Sequence, residues 1–116
     1  MANIFTVGKA LVANTTTTLF TVPPKMVFIV RYLNMANNGT VNKTGSVHWE
    51  DSSESSSVHL FNGHIFAQGE TKTFNDMDIR LQEGDSLKAL SELGSTMSVI
   101  VTFECIQDDN KMGSPF

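Results

Sequence analysis

The run Val22-Pro23-Pro24-Lys25-Met26-Val27-Phe28-Ile29-Val30-Arg31-Tyr32-Leu33 constrains the fold more than any other part of the chain. Neither proline can donate a ladder hydrogen bond, so one strand ends at the prolines and another begins after them. The new strand is apolar on both sides. One face reads Met26, Phe28, Val30, Tyr32; the other reads Val27, Ile29, Leu33, Met35, interrupted by Arg31. A strand in a sheet with one wet side should alternate apolar and polar residues. This run therefore predicts either a central strand covered by a second layer or a strand that docks one face on another chain.

The rest of the chain reads as strands and turns. Strands are expected over residues 16–22, 26–36, 45–51, 57–61, 64–67, 70–74, 79–81, 86–90 and 96–106, and residues 4–13 suit a first strand or an extended arm. Turn signals fall at Asn37-Asn38-Gly39-Thr40, Asn62-Gly63, Gln68-Gly69, Glu83-Gly84-Asp85 and Gly94-Ser95; Asn and Gly accept the positive φ that such turns need. Spacings of this kind belong to a sandwich or barrel. The nearest helical rival, residues 77–92, is broken by Gly84 and Asp85. In the strand over residues 45–51, Val47 and Trp49 should face the core while His48 and Glu50 face out. The tract Asp51-Ser52-Ser53-Glu54-Ser55-Ser56-Ser57 suits an exposed loop.

Residues 1–116 are expected to form one β-sandwich domain, with a core over about residues 12–106 and possible contact arms at 1–11 and 107–116. The arms carry isolated apolar anchors: Ile4 and Phe5 at one end, Phe116 at the other. Together with Arg31 and Tyr32 they are the candidate partner-contact residues.

Composition argues against several functions. Charged residues make up 17%, below the roughly 25% of ordinary soluble domains, and Ser, Thr and Asn fill the gap. A surface of that kind suits a protein packed among neighbours. A net charge of -4 with no basic run disfavours nucleic acid. No apolar stretch approaches the roughly 20 residues of a membrane helix. The first residues lack the basic and apolar regions of a secretion signal, so synthesis in a cytoplasm is expected. Cys105, the single cysteine, sits in an apolar run and reads as a buried inert thiol.

No catalytic or cofactor pattern emerges. His48, His59 and Glu50 are the nearest thing to a metal cluster, and they lack the paired-histidine register of a cupin. There is no nucleophile elbow and no Gly-rich phosphate loop. The carboxylate pairs Asp76/Asp78 and Glu83/Asp85 flank turns, where Asp caps backbone amides. Trp49, Tyr32, Phe61 and Phe66 would be the aromatics of a sugar platform, although core or contact roles suit them better. The expectation is a protein that is not an enzyme and needs no cofactor.

Val22-Pro23-Pro24-Lys25 with its long strand, the segment Asn34 to Thr40, the acidic Ser loop, Val58-His59-Leu60-Phe61-Asn62-Gly63 and Leu81-Gln82-Glu83-Gly84-Asp85-Ser86-Leu87 occur in that order. In this order and patterning the chain resembles small β-sandwich virion proteins of tailed bacteriophages over residues 12–106. The resemblance agrees with the fold expected from the residues, an all-β, antiparallel, jelly-roll-like sandwich, and does not extend to the termini read above as contact arms. It implies a capsid decoration (cement) protein that stabilises the head shell and is located in virions assembled in the host cytoplasm. Its partners would be the major capsid protein or other virion proteins, and it would self-associate, as a trimer. A neck, tail or fibre-associated protein is the alternative within that class. A carbohydrate-binding module contacting the host surface is the alternative outside it.

Overall fold

The computed structural model describes residues 3–91 and 97–107. Its strands are β1 (Asn3–Ala10), β2 (Thr17–Thr21), β3 (Met26–Asn37), β4 (Lys43–Asp51), β5 (Ser56–Phe66), β6 (Thr71–Phe74), β7 (Ile79–Leu81), β8 (Ser86–Ser91) and β9 (Met97–Gln107). There is no helix among the described residues.

The strands pair from the ends of the chain inward: β1 with β9, β2 with β8, β3 with β6 and β7, and β4 with β5, all antiparallel. β6 and β7 act as two pieces of one broken strand. A long ribbon nested in this way buries its apolar side by rolling up. Rolling adds the pairs β3·β9 and β4·β8 and gives two sheets, ordered β1-β9-β3-β6/β7 and β2-β8-β4-β5. This is a jelly-roll sandwich.

The core lies between the sheets. Phe28, Val30, Leu33 and Met35 of β3 meet Val99, Val101 and Phe103 of β9 and Leu81 of β7, and Val47, Phe66 and Leu87 close the other side. Phe20, Phe28 and Phe103 form a tight aromatic group with centroids 4.6–5.2 Å apart. Val47 is fully buried and Trp49 half-buried on the inner face, with His48 and Glu50 on the outer face in register with Lys88 and Ser86.

The two-faced appearance of β3 has a different cause from the one its alternation suggests. The ladder to β9 shifts register between Val30 and Tyr32, leaving Arg31 as an extra residue. Such a bulge inserts one residue and reverses the phase of the rest of the strand. Met26, Phe28 and Val30 face inward before it, and Leu33, Met35 and Asn37 face inward after it; Tyr32 therefore joins the outer face. The two apolar rows are two halves of one core face. Ile29 is also buried, although it faces out. Its register neighbours are Glu104 in β9 and Arg80 in β7, whose long side chains flank it.

Two further expectations change. Residues 57–61 and 64–67 are not separate strands: β5 runs through Asn62 and Gly63 as a register shift against β4, with Gly63 at φ 69°. Of the two readings of the N-terminal segment, first strand or extended arm, the first strand holds: β1 pairs with β9 without interruption from Asn3↔Cys105 to Ala10↔Ser98, so these residues are not a free contact arm. The C-terminal arm beyond Gln107 and the Gly94-Ser95 turn lie outside the described residues.

Candidate interaction surface

Of the candidate contact residues, Ile4 and Phe5 are the most exposed, at 68% and 51%. They sit on neighbouring positions of an edge strand and so point to opposite sides. Phe5 lies on the inner side, its ring 6.2 Å from that of Phe103, while Ile4 stands on the outer side opposite Glu104. Val7 packs partly against the core, and the other residues of β1 are exposed. β1 is thus held almost entirely by its ladder to β9.

Arg31 and Tyr32 belong to the outer face of the five-stranded sheet. The bulge projects Arg31 into an ion-pair group: Nε and Nη2 both lie 2.6 Å from Glu104 Oε1, and Asp78 Oδ1 lies 3.5 Å from Nη1 and 3.6 Å from Arg80 Nε. Tyr32 is half-buried opposite Thr102. From there to the far end, the face carries Thr6, Gly8 and Ala10 of β1, Ser98, Ile100 and Thr102 of β9, and Asn34 and Ala36 of β3. That half is uncharged. Phe116 lies outside the described residues, so Ile4, Phe5, Arg31 and Tyr32 are the four that the fold places, on β1 and β3 of one sheet.

The polar clusters have structural explanations. His48 and His59 stand in register on the outer face of β4 and β5, with ring centroids 5.2 Å apart. Burial, followed by the neighbouring His59 ring, lowers the pKa of His48 below its ordinary value. Glu50 accepts from Lys88 Nζ at 2.8 Å and from Ser57 Oγ at 3.1 Å, and these partners hold its carboxyl below the usual range. His64 is elsewhere, 3.4 Å from Glu70. Among the described residues no three His, Cys, Asp or Glu side chains are grouped to hold a metal. The four aromatics considered for a sugar platform do not share a face. Phe66 is fully buried, Phe61 stacks on Phe74 at 5.7 Å, Trp49 turns inward, and Tyr32 lies on the opposite sheet.

Asp85 has a larger role than the turn cap its sequence position indicates. It is 3% exposed, yet its carboxylate accepts from Gln82 N at 3.0 Å, Ser52 N at 3.1 Å, Ser52 Oγ at 3.2 Å and Trp49 Nε1 at 3.2 Å. Its backbone carbonyl accepts from Val22 N at 2.9 Å; Gly84 N donates to Val22 O at 2.9 Å, and Lys25 N donates to Glu83 Oε1 at 2.8 Å. The Val22–Lys25 turn and the Leu81–Leu87 segment, remote in sequence, are therefore one clamp. Gly84 needs its φ of 87°, and a Cβ there would stand 2.6 Å from Ser52 Oγ. The Gly-Asp pair marks this site in the sequence; its partners Trp49 and Ser52 leave no local signal.

No protein-family model matches the chain, and no curated protein does. Solved structures do. The Drosophila NLP core, a structure described for pentamer formation and histone binding, aligns over 90% of this chain and 98% of its own, at 15% identity and TM-score 0.59. A Bacillus endospore appendage protein, of a family of disulfide-linked pili, aligns over 92% and 87%, at 10% identity and TM-score 0.59. A pentameric capsid protein from metagenomic phage sequences aligns over 91% of this chain and 61% of its own, at 23% identity and TM-score 0.43. At these identities the first two likenesses establish the jelly-roll sandwich and nothing more specific.

Proposed function

We propose that this chain is a structural protein of a phage virion that decorates the outer surface of the capsid shell. The observation that carries the reading is the contrast between interior and margin. Two of the segments that carry the resemblance to phage virion proteins, Val22–Lys25 and Leu81–Leu87, are spent on a structural clamp centred on the buried Asp85. The exposed apolar residues Ile4 and Phe5 lie on an edge strand. A protein built this way contributes cohesion rather than chemistry: it bridges coat subunits, carries no catalytic residue and needs no cofactor. Repeated attachment at symmetric positions multiplies weak contacts. Self-association, expected from the sequence as a trimer, belongs to the same reading. The NLP core, described for pentamer formation, and the appendage protein of pili show the same sandwich in subunits that assemble.

The test is to mix purified protein with heads and, separately, tails of a host phage whose copy of this coding sequence has been deleted. Saturable co-sedimentation with heads and a higher temperature of genome release are expected. Binding to tails alone would replace decoration with the neck or tail role. Binding to neither would sink the virion reading.

A further inference from the structure

The two sheets have four edges, and three are blunted. β6 and β7 form an edge of four and three residues, broken between Phe74 and Ile79. β2 is five residues long, with a register shift between Thr18 and Phe20. β5 is long, but its ladder shifts twice and Gly63 bends it with positive φ. Short, bulged edges resist pairing with another chain. β1 has none of these protections. It is eight residues long, keeps an unbroken register with β9, contains no proline, and carries one charge, Lys9. None of the described residues pairs with its outer edge.

We propose that β1 is the self-association edge, pairing antiparallel with β1 of a second copy about a two-fold axis at Thr6. The sequence of β1 is self-complementary in that register. Residues directly opposite each other project to the same face. Phe5 and Val7 are inner-side residues, opposite Phe103 and Val101 of β9; Ile4, Thr6 and Gly8 are outer-side residues, opposite Glu104, Thr102 and Ile100. A two-fold at Thr6 sets Phe5 against Val7 of the second copy, Thr6 against Thr6, and Ile4 against Gly8, so inner meets inner and outer meets outer. Phe5, half-exposed in the single chain, gains an apolar neighbour. Gly8, with no side chain, leaves room for Ile4 of the other copy beside the exposed Ile100. A one-residue slip would reverse the faces. Parallel pairing would stack Lys9 on Lys9, whereas the two-fold places it against Asn3. The two five-stranded sheets become one continuous sheet through an isologous contact.

The inference rests on the self-association proposed above and replaces the trimer with a two-fold contact; its test separates the two. The full chain at high micromolar concentration should scatter light as a dimer. Thr6→Lys puts like charges directly opposite each other and should give a monomer with an unchanged circular dichroism spectrum. Thr6→Cys should give a covalent dimer on oxidation, while Ser57→Cys, on the bulged β5 edge, should not. If Thr6→Lys fails to fold, the cysteine pair decides alone. A monomeric wild type would overturn both the pairing and self-association. A trimer, or an oligomer indifferent to Thr6→Lys, would overturn the edge and leave self-association standing.

Discussion

His48 shows how one side chain sets a pH response. Its pKa lies below the ordinary 6.5, so in the pH range under that value the unfolded chain binds the proton more readily than the folded one. Stability then rises with pH through this range; the contribution is complete above 6.5 and is lost as pH falls toward the folded value. Glu50 and Glu70 are depressed from 4.5, and their contributions begin to go only below that point. The thermal midpoint should therefore decline in two steps as pH falls, and His48→Gln should remove the upper step while leaving the lower. A single step starting near 4.5 in the wild type would contradict this. Asp85 is the second residue-scale case. Asp85→Ala strands the donors of Trp49, Ser52 and Gln82, at about 1–3 kcal/mol for each group left unpaired, so a loss of roughly 3 kcal/mol or more is expected in urea denaturation. A loss within the range of an ordinary surface substitution would show that water satisfies those donors and that the clamp is dispensable.

At the scale of elements, the bulge in β3 gives a sharper test. Arg31 is the extra residue, so deleting it leaves Val30 inward, Tyr32 outward and Leu33 inward in a regular ladder. The deletion forfeits the part-buried ion pair of Arg31 with Glu104, the weaker exposed one with Asp78, and the bond from Met77 N to Arg31 O. Deleting Ile29 instead would turn Val30 outward and bury Arg31, or flip the start of the strand. The first variant should fold with a reduced thermal midpoint and an intact β spectrum, and the second should not fold. Equal damage from both would mean the bulge does not set the phase of β3. The same strand shows how much of the fold is legible in the sequence. The β class, most turns and the inward set of β4 can be read there, because alternation and turn chemistry are local. The phase reversal at Arg31 cannot, because a bulge is defined by the partner strand. The continuity of β5 through Asn62-Gly63 is hidden for the same reason: β4 shifts register to absorb it. Of the candidate contact residues, the apolar anchors Ile4 and Phe5 can be picked out, but their place on an open edge depends on β9, at the other end of the chain.

For the molecule as a whole, nesting from the ends inward makes folding a non-local problem. β1 finds its ladder on β9, and β2 finds its ladder on β8. Among the described residues only β4·β5 is a local hairpin, and β3 must wait for β6, β7 and β9. Loop closure has to precede each of these contacts, so its entropy is lost before burial compensates. Refolding should accordingly fall in the range of about milliseconds to seconds typical of such all-β chains, not the microseconds of helical bundles. The single tryptophan is well placed to report it. Trp49 stands on the local hairpin, but its indole N–H bonds to Asp85, which joins the hairpin to the β7–β8 turn and, through Val22, to the β2–β3 turn. Its fluorescence should therefore recover with the global transition and coincide with far-ultraviolet circular dichroism in a stopped-flow refolding experiment. A tryptophan signal that completes well before the β signal would mean that the β4·β5 hairpin closes on Asp85 as an independent unit, and that the clamp seeds the sandwich rather than sealing it.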